Sequence, residues 1–94
     1  MIKENMDDIN SGYSKLVGGL KSKKIDDSKY EYHAEVKEMH LNTAQMAHGG
    51  FLTFIADTGM GNGAHRAADG KRCVTISLEM KFISAAKLGD KLVA

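Results

Sequence analysis

Asn42, the triplet His48-Gly49-Gly50 and Asp57 stand in one run, Asn42-x5-His48-Gly49-Gly50-x6-Asp57, and a strictly alternating segment from 73 to 82 follows it. This spacing places a carboxylate two turns into an apolar helix whose entry is a pair of glycines, the layout expected of an acyl-transfer site. The N–H groups at a helix N-terminus have no intrahelical acceptor. With no side chain in the way, they form a site for an anion or a developing oxyanion. A glycine pair also serves as a plain loop-to-helix turn. Asp57 lies within about a turn of Phe54, Ile55 and Met60, and an isolated carboxylate is too costly to bury. Either it reaches a cleft, where it acts as general base toward water or attacks a carbonyl directly, or it caps a neighbouring loop.

The surrounding polar residues have two readings each. Asn42 donates to the same site or only forms a turn. His48, directly before the glycines, is better placed to fix the loop by hydrogen bonding than to act as a base. Thr75 and Ser77 fall on the polar side of the alternating segment, as site hydroxyls or as ordinary exposed ones. Arg66, Lys71 and Arg72 contact the phosphates of a large cofactor-like substrate or form a solvated loop. His33, His40, His48 and His65 lack zinc-ligand spacing, so no metal is expected. No serine sits in a Gly-x-Ser-x-Gly turn, which removes a serine triad.

These residues need a scaffold. Phe51, Leu52, Phe54, Ile55, Ala56, Met60 and Ala64 cover most of the circumference of a helix from Gly49 to about Ala67, as suits a helix surrounded by protein. The glycines at 59, 61 and 63 each cost about 1 kcal/mol in a helix interior, and make sense where the backbone lies very close to a sheet or another chain. Tyr30, Tyr32, Ala34 and Val36 alternate with polar residues, predicting a half-buried antiparallel strand. Val74, Ile76, Leu78, Met80 and Phe82 predict a second one over 73–82. Leu88-Gly89-Asp90 turns the chain into a last strand over 91–94. Upstream, Ile2, Met6, Ile9, Tyr13, Leu16 and Leu20 are spaced four and three apart, predicting an amphipathic helix over 1–20 that ends at Gly18-Gly19. The main domain then occupies 21–94, with 21–29 a charged linker holding one short strand around 24–26.

The chain has 94 residues, 43% of them hydrophobic, with no proline. One domain is the most this length holds, and it buries little surface alone, so a partner subunit is expected. Thirteen basic against twelve acidic residues, net +1, give no sustained basic surface for nucleic acid. The single Cys73 excludes an intrachain disulfide and suits a reducing compartment. With no apolar run of about 20 residues and no signal-peptide core, a soluble cytoplasmic protein is expected.

Residues 30–94 resemble the hotdog-fold thioesterase superfamily, in the branch of the phenylacetate-pathway thioesterases and the mammalian thioesterase-superfamily member 2 type. The resemblance rests on Asn42-x5-His48-Gly49-Gly50, on Asp57 nine positions after the histidine, on Val74-Thr75-Ile76-Ser77-Leu78 and on Ala85-Ala86-Lys87-Leu88-Gly89-Asp90. It implies an α+β fold with a long central helix wrapped by an antiparallel sheet. It also implies a homodimer or tetramer with sites at the subunit interface, acyl-CoA thioesters as substrates and no cofactor. In that reading Asp57 is the base or nucleophile and the Gly49 N–H the oxyanion donor. Asn42 orients thioester or water, and Thr75 helps position water. His48, Gly50, Arg66 and Arg72 bind substrate.

Gln45 stands where the family usually has glycine, which should reshape the loop carrying Asn42, and Ala85 replaces a common proline. The chain stops at Ala94 as its fourth strand begins, whereas the fold normally adds closing strands of on the order of 20 residues. An open apolar edge is then expected to pair with another chain. The alternative function is a non-catalytic acyl-CoA binding or assembly module. A dehydratase fits less well, because that chemistry usually pairs histidine and aspartate at close helix spacing, and His48 and Asp57 are nine apart.

Overall fold

The structure, a computed structural model, describes residues 6–9 and 11–94. One long helix lies on a four-stranded antiparallel sheet, an α+β arrangement of the kind the resemblance implies. The elements are β1 (Asp7–Asp8), α1 (Gly12–Val17), β2 (Lys21–Asp26), β3 (Lys29–Glu35), a 3-10 turn at Glu38–His40, α2 (Gly49–Ala67) and β4 (Lys91–Val93), and the sheet order is β1-β2-β3-β4.

β2 and β3 form the centre of the sheet. Their hairpin turns where Asp26 Oδ1 accepts from the Ser28 N–H at 2.8 Å. That bond, with a second from the Ser28 hydroxyl, holds the Asp26 carboxyl below the usual carboxylate range. β2 runs further toward the N-terminus than the short strand expected, because ladder partners from Lys21↔His33 to Asp26↔Lys29 capture a segment whose own composition is polar. In and just beyond β3, Tyr32, Ala34 and Val36 are buried as the alternation predicts, and they join Leu20, Ala47, Phe51, Phe54 and Ile55 in a single core.

α2 begins and ends where the sequence pattern puts it. Gly59 is buried on its sheet side, where a Cβ would stand 3.0 Å from Tyr32 Cδ2. That close approach to the sheet accounts for one of the three helix glycines.

Two expected elements differ. The helix predicted over 1–20 is confined to Gly12–Val17. Ile2 lies outside the described residues, and Asp7–Asp8 instead pair with Ser22 and Lys21. Gly12 holds a left-handed φ of 54°, which an α-helix cannot pass through, and the Ile9 N–H donates to Leu20 O at 3.0 Å. The chain therefore folds back as a strand edge before the helix starts, and Tyr13 and Leu16 stay exposed.

The strand predicted over 73–82 forms no ladder. Val74 and Ile76 are 81% and 97% exposed, and the segment passes the side of α2 turned away from the sheet. A period-two pattern gives the chain one apolar side, but a strand also needs a neighbour for its backbone groups. Among the described residues this segment has none. Beyond it, the Gly89 N–H donates to Val36 O at 2.8 Å, and β4 pairs with β3 from Glu35↔Lys91 to His33↔Val93.

Candidate functional site

Local hydrogen bonds build the entry of α2. His48 is its N-cap, and its Nδ1 accepts the Gly50 N–H at 2.8 Å. The Phe51 and Leu52 N–H groups both reach the His48 carbonyl. Among the described residues the Gly49 N–H has no acceptor, so it is the donor left over at the positive end of the helix dipole. Gly50, expected to bind substrate alongside it, has its N–H occupied by the cap.

Asn42 sits in the preceding loop with its Oδ1 already engaged, accepting from the Ala44 and Met46 N–H groups at 2.9 and 3.2 Å. Only its amide NH2 remains to orient a ligand. Gln45 holds φ 63° in that loop. That is the left-handed backbone glycine adopts freely, held here by a residue with a Cβ at a cost of about 1–2 kcal/mol. Asn42, Gly49, Leu52, Phe82 and Ala86 line one cavity of about 370 Å³. Its wall is fixed where the Ala47 N–H donates to Ala86 O at 2.8 Å, and the Phe82 ring stands over Gly49, 3.3 Å from where a Cβ would be.

His40 holds this entry from beneath, a role the sequence did not suggest. It is 4% exposed and its ring stacks on Phe51, with centroids 3.7 Å apart. The Lys37 N–H donates to Nδ1 at 2.9 Å, so the proton sits on Nε2, 3.0 Å from the Val17 carbonyl. The His40 carbonyl accepts the His48 N–H at 2.8 Å. One neutral imidazole thus ties α1, the 3-10 turn and the first turn of α2 together.

Asp57 lies two turns further along, partly exposed, and Thr75 Oγ1 donates to its Oδ1 at 2.7 Å. Thr75 is brought to Asp57 from an unpaired segment. Oδ2 remains for a water. Asp57 and Gly49 do not meet, because eight residues of helix separate them by about 12 Å along the axis and turn them about 80° apart.

Of the two arginines expected to bind substrate, Arg66 is engaged on the sheet side of α2. Arg66 stacks over the Tyr30 ring, 4.4 Å from its centroid, and reaches Ser22 Oγ at 3.4 Å. Nine residues after Asp57, half a turn out of phase, it falls on the sheet side of the helix and does not share Asp57's face. Arg72 is exposed beyond the helix end.

Among the described residues, no group of three or more His, Cys, Asp or Glu side chains is placed to hold a metal, and no helix is long and apolar enough to cross a membrane. Residues 44–94, carrying the helix entry, Asp57 and Thr75, match the family model of the thioesterase superfamily. The chain belongs to the thioesterase superfamily.

Two curated relatives are each 36% identical to this superfamily member. One is a putative esterase of Archaeoglobus fulgidus, matched over 59 residues, 63% of this chain and 37% of that protein. The other is a putative esterase of Pseudomonas aeruginosa, matched over 58 residues, 61% of this chain and 43% of that protein. The chain thus spans about two fifths of the length of the curated relatives it matches. No solved structure matches it significantly.

Proposed function

We propose that this chain hydrolyses an acyl-CoA thioester to the free acid and CoA, in a site shared between two copies. Asp57 Oδ2 takes a proton from water, and the water oxygen bonds to the thioester carbonyl carbon. The carbonyl electron pair moves to an oxygen held by the Gly49 N–H of the other copy. Collapse of this intermediate breaks the C–S bond, and the departing CoA thiolate takes the proton that Asp57 holds, which restores the carboxylate. The observation that carries the proposal is the Asp57–Thr75 pair, a carboxylate fixed on the open side of the helix with one oxygen unused.

Sharing between copies follows from reach. A base and an oxyanion donor serving one carbonyl each lie about 3 Å from the reacting atoms, so about 6 Å from each other, and along one helix Gly49 and Asp57 are about twice that distance apart.

Thiol release from a panel of aryl and alkyl acyl-CoAs tests the activity. Gly49→Pro removes the donor N–H at a position where proline suits the helix start, and His48, at φ −61° and ψ 134°, already has the backbone that precedes proline. Gly49→Ala crowds the Phe82 ring, 3.3 Å from the added Cβ, but keeps the N–H, so kcat should fall about 100-fold further in Gly49→Pro than in Gly49→Ala, with the helix intact. Mixing Gly49→Pro with Asp57→Asn subunits should restore about one quarter of the wild-type activity, since half of random dimers carry one complete site. No recovery argues against the shared site. Thermal stabilisation by acyl-CoA without thiol release would make the chain a binding module instead.

A further inference from the structure

Among the described residues of one copy, nothing packs closely enough on Gly61 to require glycine. Gly59 and Gly63 face the sheet, where added Cβ atoms would meet the Tyr32 ring at 3.0 Å and the Tyr32 hydroxyl at 3.6 Å, but a Cβ on Gly61 would meet nothing within 4 Å. Glycine in mid-helix weakens the helix, so a side chain here would be stabilising unless open space is itself required. The position explains the requirement. Residue 61 is one turn after Asp57 on the same face, and helical side chains lean toward the N-terminus, covering the turn before their own Cα. Any large side chain at 61 would lie across the Asp57 carboxylate.

That face also borders a groove of about 320 Å³ lined by Met60, Gly61, Ala64, Val74, Thr75 and Ile76, with the Thr75 hydroxyl bonded to Asp57 at 2.7 Å. Cys73 and Ser77 complete a lining that is mostly apolar, with the Thr75 hydroxyl leading to the carboxylate.

We propose that Gly61 is the specificity-determining residue that admits the acyl group of the thioester. The missing side chain opens the approach to Asp57, and the groove against Val74 and Ile76 takes the apolar acyl chain beside the carbonyl under attack. This rests on the reading of Asp57 as the base in thioester hydrolysis.

The experiment compares wild type, Gly61→Ala, Gly61→Leu and Asp57→Asn on acetyl-CoA and phenylacetyl-CoA. Melting temperature, oligomeric mass and the melting shift induced by a non-hydrolysable phenylacetyl thioether analogue of CoA are measured alongside. Gly61→Leu should lower kcat/KM for phenylacetyl-CoA by about 100-fold and for acetyl-CoA by about 10-fold or less, in the range that steric discrimination supplies. Its analogue-induced shift should vanish while its own melting temperature is equal to or above that of wild type, and Gly61→Ala should be milder on each reading.

Equal losses on the two substrates, unchanged kinetics, or a change in oligomeric mass that accounts for the loss would overturn the proposal. Hydrolysis lost in Asp57→Asn but kept in Gly61→Leu defeats this proposal alone. A wild type that neither hydrolyses these thioesters nor is stabilised by the analogue defeats it together with the proposed function.

Discussion

The two faces of α2 are built on opposite terms. Toward the sheet, Phe51, Phe54, Ile55 and Gly59 are buried, and Gly59 brings the helix backbone against the Tyr32 ring, whose hydroxyl donates to Asn62 Oδ1 at 2.7 Å. On the far side, Asp57, Met60, Gly61 and Ala64 meet one hydroxyl and an open groove. Burial of apolar surface at roughly 25 cal/mol per Å² makes the first face the source of stability, and the second face adds almost none. The proposed chemistry lies on this second face, while the sheet side supplies the rigidity. Changes on one face should therefore move activity, and changes on the other should move stability.

The largest expected effect is Asp57→Asn, which should lower kcat by about 1,000-fold, within the range for loss of a general base. The unfolding free energy should move by less than about 0.5 kcal/mol, as for surface positions. Kinetics and urea denaturation on the same samples measure both. A stability loss matching the activity loss would break the comparison, because Asp57 would then be a structural residue.

His40→Ala is the counterpart on the packed side. It removes the ring stacked on Phe51 and leaves the Val17 carbonyl and the Lys37 N–H without partners. About 3 kcal/mol of stability should be lost. Denaturation midpoints at equal slope would show it, and a change under about 0.5 kcal/mol would mean the entry of α2 is held by other contacts.

What the sequence made legible follows the range of the forces involved. α2 and β3 were readable because a helical or alternating pattern registers with each element's own neighbours, as with Phe51, Phe54 and Ile55 or Tyr32, Ala34 and Val36. The segment 73–82 carries the same alternation, yet Val74 and Ile76 lie in solvent, since alternation says nothing of which strand stands alongside. The helix expected over 1–20 failed for a related reason. Met6, Ile9 and Tyr13 keep helical spacing, but pairing with β2 and the backbone of Gly12 decide the outcome. In the candidate site, Asp57, Gly49 and Asn42 came from motif spacing and resemblance. His40 and Phe82 could not, because their contacts with Phe51 and Gly49 exist only once the loop has folded.

Gln45 offers a smaller and cleaner test at the loop that leads into α2. Its side chain is exposed and its φ is 63°, so nothing but backbone strain separates it from glycine. Gln45→Gly should raise the unfolding free energy by about 1 kcal/mol and leave kinetics within about twofold, since Gln45 already holds a backbone that glycine adopts. A higher kcat at unchanged stability would show that Gln45 distorts the Asn42 loop.

The smallest effects test the two faces most directly, through one substitution made twice. Alanine is better than glycine in a helix interior by about 1 kcal/mol wherever its methyl group is free. At Gly61 the methyl meets nothing within 4 Å, so Gly61→Ala should gain that amount. At Gly59 the same methyl would stand 3.0 and 3.1 Å from Tyr32 Cδ2 and Cγ, atoms at the root of a buried ring whose far end is tied to Asn62. Overpacking of this kind costs about 1–3 kcal/mol, which exceeds the propensity gain, so Gly59→Ala should be net destabilising by about 1 kcal/mol. Opposite signs two residues apart, read from urea midpoints, would fix the sheet side and the open side of α2. Equal gains would mean the helix does not press on Tyr32, and equal losses would mean that a second surface, such as another copy of the chain, closes over Gly61.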